Sequence, residues 1–149
     1  LIVGGTGRMH DKLVELTRRK GLDNYIKFIG WIPQKLMPQY YRASDIIVDS
    51  IIFSHPGSVT VLESLATGIP NVLSEIECLP GEVNVPTNDI AMLSRPGDYE
   101  SIANGIITLL EDEKMGRKIG YNARKFISNN FSPENVVKAY LDIYARLIP

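Results

Sequence analysis

Short apolar runs rich in β-branched residues alternate with helix-period segments along the whole chain, and that alternation fixes the fold class. The runs are Leu1–Val3, Tyr25–Ile29, Asp45–Asp49, Asn71–Leu73 and Ile90–Leu93. Each has about the length of a buried strand and is bounded by Gly, Pro, Ser or Asp. Ile46-Ile47-Val48 is continuously apolar, as expected of a parallel strand covered on both faces. Between the runs, Asp11–Lys20 carries Leu13, Val14 and Leu16, a basic last turn and Gly21 as its stop. Further helices are expected over Gln34–Arg42, over Ser58–Thr67 ahead of Gly68-Ile69-Pro70, and over Tyr99–Leu110 behind Asp98 as N-cap. In the last segment Ser132 caps, Pro133 takes the first helical position, and Val136, Val137, Tyr140, Leu141, Tyr144 and Leu147 make one apolar face. The pattern predicts an α/β fold: one Rossmann-like parallel sheet sandwiched by helices, with extra C-terminal helices.

Composition narrows the function classes. A chain of 149 residues fits a single domain that buries roughly 70% of its unfolded surface. Sixteen basic against seventeen acidic side chains leave a formal charge of −1, without the cationic surplus that nucleic-acid binding draws on. Cys78 is the single cysteine, so no internal disulfide is expected and a reducing compartment fits. No apolar run approaches the roughly 18 residues of a membrane span, and no signal peptide is expected. The chain opens on Leu1-Ile2-Val3-Gly4 with no initiator Met, which reads as a strand cut into at its start and as part of something longer.

Open parallel sheets bind ligands beyond the carboxyl ends of their strands, so the turns there carry the chemistry. The first, Gly4-Gly5-Thr6-Gly7-Arg8-Met9-His10, has part of a dinucleotide fingerprint. His10 stands where its last Gly belongs, and the second strand ends at Gly30-Trp31 without a ribose-holding acid, so a nicotinamide or flavin enzyme is disfavoured. Close approach of strand and helix explains these glycines equally well.

The most informative stretch runs from Ser54 to Pro70. There a strand enters a Pro56-Gly57-Ser58 turn and then a helix, whose first N–H groups and positive dipole end make a ready anion site. Val59-Thr60-Val61 opens that helix poorly by propensity, a mismatch tolerated where tertiary structure or function requires it. Glu63 lies at the border of the apolar stripe Val59, Val61, Leu62, Leu65 and Ala66, where a glutamate is ordinarily a solvated side chain. His10, His55, Glu75, Glu77 and Cys78 lack metal-ligand spacing, so no metal is expected. No nucleophile elbow or Walker loop is present. Arg18-Arg19-Lys20 and Lys114–Lys118 read as solvated helix-end charges, and Trp31, Tyr40 and Tyr41 as core aromatics by default.

In order along the chain stand Leu1-Ile2-Val3-Gly4-Gly5-Thr6-Gly7, Phe28-Ile29-Gly30-Trp31-Ile32-Pro33 and Tyr40-Tyr41-Arg42-Ala43-Ser44-Asp45. Val61-Leu62-Glu63-Ser64-Leu65-Ala66-Thr67-Gly68-Ile69-Pro70, Arg95-Pro96-Gly97-Asp98, Asn122-Ala123-Arg124 and Phe131-Ser132 follow. This series resembles the C-terminal, nucleotide-sugar-binding half of GT-B-fold glycosyltransferases of the retaining family 4 (group 1) type. The resemblance implies transfer of a sugar from a UDP or GDP carrier with retention, this chain supplying the donor site. It implies that Glu63 is the second Glu of an E-x7-E motif and accepts hydrogen bonds from the ribose hydroxyls, which suits an acceptor-only carboxylate. Gly57, Ser58, Val59 and Thr60 would offer backbone amides to the diphosphate and sugar, the Ile32 main chain would read the base, and Gly5 and Gly7 would form the loop beside the donor. No metal or other cofactor would be obligatory, because amides and helix dipole stabilise the leaving diphosphate.

Two departures accompany the resemblance. His55 stands where the first Glu of E-x7-E belongs, beside the donor sugar, and Pro56-Gly57-Ser58 replaces the usual Gly-Phe-Gly. A histidine there could donate to a sugar hydroxyl or a phosphate, or mark altered donor choice or lost activity. The family's phosphate-neutralising Arg and Lys, its preceding strand and its acceptor-binding N-terminal domain would all lie upstream of Leu1. The isolated chain is therefore expected to bind nucleotide weakly and turn nothing over. The full-length protein is expected in the cytoplasm, touching the inner face of the membrane only peripherally. A non-catalytic interaction module derived from the fold, or an epimerase- or phosphorylase-like enzyme, remain the alternatives.

Overall fold

The computed structural model describes residues 1–50, 58–74 and 87–148, and contacts divide the chain into two compact units, Leu1–Tyr40 and Tyr41–Pro149. In the first unit the opening apolar run forms strand β1 (Ile2–Gly4), parallel to β2 (Lys27–Gly30), with helix α1 (His10–Arg19) between them in sequence. The ladder ends at two glycines. Gly5, at φ 106°, donates its N–H to Gly30 O at 2.6 Å, and Gly30, at φ 68°, turns the chain out of β2. Both backbones lie in the left-handed region that a side chain resists. Because β2 stops there, Trp31 points to solvent, 76% exposed, and is not the core aromatic expected of it.

The segment expected as one helix over Gln34–Arg42 divides into a 3-10 turn (Gln34–Leu36) and helix α2 (Met37–Arg42). Pro38 fits early in α2, where a missing N–H costs no helical bond.

The second unit holds strands β3 (Ile47–Asp49), β4 (Asn71–Ser74) and β5 (Met92–Ser94), all parallel in the order β3-β4-β5. Helices α3 (Val59–Thr67), α4 (Thr87–Ile90), α5 (Tyr99–Glu111), α6 (Glu113–Asn130) and α7 (Pro133–Leu147) complete it. The strand buried along its whole length is β4, in the middle of this ladder. Contrary to the expectation from its apolar run, β3 is only half-covered, with Val48 facing outward. Asp98 and Ser132 cap as their positions imply: Ser101 N donates to Asp98 Oδ1 at 2.9 Å, and Asn135 N to Ser132 Oγ at 3.2 Å.

The longest helix, α6, has no apolar stripe that composition reveals. Its inward positions are Gly116, Ile119, Gly120, Ala123 and Ile127, a helical repeat made mostly of residues without bulk. That emptiness lets it lie close against α3 and the turn after it: a Cβ at Gly120 would collide with the carbonyl group of Gly68. Val61, Leu65, Leu73, Ile90, Ala91, Ala123 and Ile127 form the resulting core. This burial explains why Val59-Thr60-Val61 is helical against its propensity, since Val61 is 1% and Leu65 0% exposed. The apolar face of α7 forms as a helix face but remains exposed, Val137, Leu141 and Leu147 included.

Candidate functional site

Each unit gathers some of the expected site residues. In the first, Gly5, Gly7 and Ile32 all lie beyond the carboxyl ends of β1 and β2. The Ile32 side chain rests on Gly4, where a Cβ would come within 2.6 Å of its Cδ1. His10, at the head of α1, turns its ring edge toward Phe28, centroids 5.6 Å apart, with Nδ1 3.1 Å from Asp11 Oδ1. Close packing accounts for Gly4 and the left-handed backbone for Gly5, whereas a Cβ at Gly7 would meet nothing within 4 Å.

In the second unit, Ser58, Val59, Thr60 and Glu63 all belong to the first turns of α3. The Thr60 hydroxyl donates to the carboxylate of Asp49, the last residue of β3, so this helix end sits over the carboxyl end of that strand. Ser58 Oγ lies 2.8 Å from Thr60 Oγ1. Because the single Thr60 proton is committed to Asp49, Ser58 is the donor in that pair. Among the described residues, no side chain caps α3 from Ser58, unlike Asp98 and Ser132 at α5 and α7. The uncapped first-turn N–H groups, at the positive end of the helix dipole, present a surface that favours an anion.

Glu63 follows one turn on, half-buried, and not the freely solvated border residue that its helix position implies. Tyr41, near the end of α2, places its hydroxyl 3.5 Å from Glu63 Oε2 and donates to it. Burial, then the negative charge and hydrogen bond of Glu63, push the Tyr41 phenol up to about 12. Burial likewise raises the Asp49 carboxyl above its ordinary value, the Thr60 hydrogen bond opposing it. Tyr41 feels the Asp49 charge as well. A phenol, two carboxylates and two hydroxyls thus converge around the start of α3. Sequence reading left Asp49 and Tyr41 out of the site. The one signal for Asp49 is an acid directly ending an apolar strand, the place where open sheets hold their chemistry.

Not every expected residue is accounted for. His55 and Gly57 lie outside the described residues, as do Glu75, Glu77 and Cys78. Among the described residues, no three His, Cys, Asp or Glu side chains stand close enough to hold a metal ion. Arg18, Arg19 and Lys20 are exposed helix-end charges as expected.

The model of the family "Glycosyl transferases group 1" matches residues 1–126. The chain belongs to the group 1 glycosyltransferases. An uncharacterized glycosyltransferase of Methanocaldococcus jannaschii is 27% identical over 144 residues, 97% of this chain and 36% of that protein. The O-antigen chain mannosyltransferase B of Escherichia coli is 26% identical over 147 residues, 99% of this chain and 37% of that protein. Among solved structures, the Anabaena Alr3699/HepE complex with UDP-glucose superposes with a TM-score of 0.80 at 26% identity, covering 98% of this chain and 40% of that one. The chain thus spans little more than a third of the length of the curated relatives it matches. The parallel strands and flanking helices are those of the C-terminal domain of the GT-B glycosyltransferase fold. Among the described residues, no helix of this group 1 glycosyltransferase chain is long and apolar enough to cross a membrane.

Proposed function

We propose that this chain is the donor-binding part of a glycosyltransferase that takes a hexose from a nucleoside diphosphate and passes it, with retention, to an acceptor held elsewhere in the full-length protein. The observation that carries the reading is the uncapped start of α3 over the carboxyl end of β3, with Glu63 one turn further along. The diphosphate accepts from the first-turn amides of Ser58, Val59 and Thr60, where the helix dipole stabilises negative charge. As the glycosidic bond breaks, charge accumulates on the leaving diphosphate, and fixed amides facing it lower the barrier. The Glu63 carboxylate accepts from the ribose hydroxyls. The Ile32 main chain meets the base, and the loop of Gly5 and Gly7 lies beside the donor. Gly57 adds an amide and His55 meets the sugar. The likeness to a protein solved with UDP-glucose favours a UDP-sugar, and the E. coli O-antigen relative favours a polysaccharide or glycolipid acceptor at the inner face of the membrane.

In this reading no metal or other cofactor is obligatory, and the nucleotide sugar is a substrate. Upstream segments supply cations that neutralise the diphosphate, so the isolated chain binds nucleotide weakly and turns nothing over. Calorimetric titration of UDP and GDP into the full-length protein and its Glu63→Ala variant tests the assignment. A loss of affinity of about tenfold or more in the variant is expected from removing a charged acceptor. Equal affinities would remove Glu63 from the ribose site.

A further inference from the structure

Glu63 has a flexible side chain on the border of a helix, yet the proposed role requires its carboxylate to be presented in one orientation. Left free, a glutamate side chain loses rotamer entropy on being ordered, a cost of up to roughly thirtyfold in affinity. The contact that addresses this comes from 22 residues earlier: Tyr41 Oη donates to Oε2 of Glu63 at 3.5 Å, across from α2 to α3. Tyr41 engages Oε2, which leaves the second oxygen of the carboxylate with its own lone pairs to accept from a ligand.

We infer that Tyr41 is a positioning residue for the nucleotide's ribose, holding the Glu63 carboxylate by one oxygen so that the other faces the diol. The inference rests on the proposed reading of Glu63 as the ribose acceptor. Two features fit it. The phenol, pushed up to about 12, keeps its proton and remains a donor across the physiological range. Tyr41 is itself half-buried, so its ring has less freedom than an exposed side chain.

The test compares UDP with 2′,3′-dideoxy-UDP in calorimetric titrations of the full-length protein. Wild type, Tyr41→Phe and Glu63→Ala are titrated in parallel. The ratio of the two affinities within each variant reports the ribose hydroxyls alone, and a loss of folded protein scales both ligands together. Tyr41→Phe is expected to weaken UDP by about threefold to tenfold, the range for the net worth of an ordinary hydrogen bond, and to leave 2′,3′-dideoxy-UDP unchanged. Tyr41→His, which keeps an N–H donor on a ring, is expected to give an intermediate ratio and covers the case in which Phe is not tolerated. A wild-type ratio in both Tyr41 variants, with the ratio collapsed in Glu63→Ala, overturns the role of Tyr41 and leaves Glu63 at the ribose. A wild-type ratio in Glu63→Ala, or failure of the wild type to bind either UDP or GDP, overturns both.

Discussion

Two glycines one turn apart on α6 should respond to the same substitution with opposite signs. At Gly120 an added Cβ would lie 2.8 Å from the Gly68 carbonyl carbon and would collide with its oxygen, and both atoms are backbone that no rotamer change can move. Overpacking of this kind costs typically 1–3 kcal/mol and more when the neighbour is rigid. Ala regains about 1 kcal/mol over Gly in a helix interior. With a rigid neighbour the collision sits at the top of that range, so Gly120→Ala should lose about 2 kcal/mol net, roughly 6–8 °C in melting temperature for a chain of this size. At Gly116 the nearest atoms to an added Cβ are Leu109 O and Pro70 Cγ, both at 3.6 Å, which is ordinary contact. Only the propensity remains, so Gly116→Ala should gain about 0.5–1 kcal/mol. Thermal unfolding followed by circular dichroism, supported by urea titration, measures both. If Gly120→Ala is neutral or stabilising, α6 does not lie backbone-to-backbone on the turn after α3, and the account of the core is wrong.

Three further outcomes follow from the same packing and charges. Leu65, fully buried between α3 and its neighbours, should lose about 3–5 kcal/mol on substitution by Ala, read from the urea midpoint; a loss under about 1 kcal/mol would contradict the packing. Asp49 binds its proton more tightly in the folded chain, so stability is complete below the ordinary carboxyl value of about 4 and falls as pH rises through the higher folded value. Asp49→Asn stays neutral, so its stability relative to wild type should grow across that window and level off above it; a gap that narrows with pH would reverse the sign of the argument. Raising the pH through about 12 should ionise Tyr41, and Tyr41→Phe should remove that component from the phenolate absorbance titration; an unchanged alkaline end of the curve would contradict the burial of the phenol.

What the sequence disclosed was local. A cap is written in a residue and the four that follow it, so Asp98 and Ser132-Pro133 located α5 and α7 correctly. Strands announced themselves by β-branched runs, though which of them lies centrally depends on order in the sheet, and β4 rather than β3 proved fully covered. Helix α6 escaped notice because Gly116, Gly120 and Ala123 form its inward stripe, and glycine contributes neither hydrophobicity nor helix propensity. Its use is the absence of a side chain against a neighbouring backbone, a property that exists only once the chain has folded. Glu63 shows the same limit at the site. Position on the helix made it a solvated border residue, and family resemblance alone raised it above that. Its actual surroundings are set by Tyr41, 22 residues away and on another helix.

The central claim is that the start of α3 receives a diphosphate, and amide chemical shifts test it residue by residue. In the full-length protein labelled with ¹⁵N, the N–H signals of Ser58, Val59 and Thr60 should move on addition of UDP and stay near their free positions with uridine alone. Signals at α5 and α7, whose N-termini are already capped by Asp98 and Ser132, should not follow them. If UDP shifts none of the three, or uridine without phosphate shifts them equally, the anion site is not at α3 and the proposed donor geometry fails.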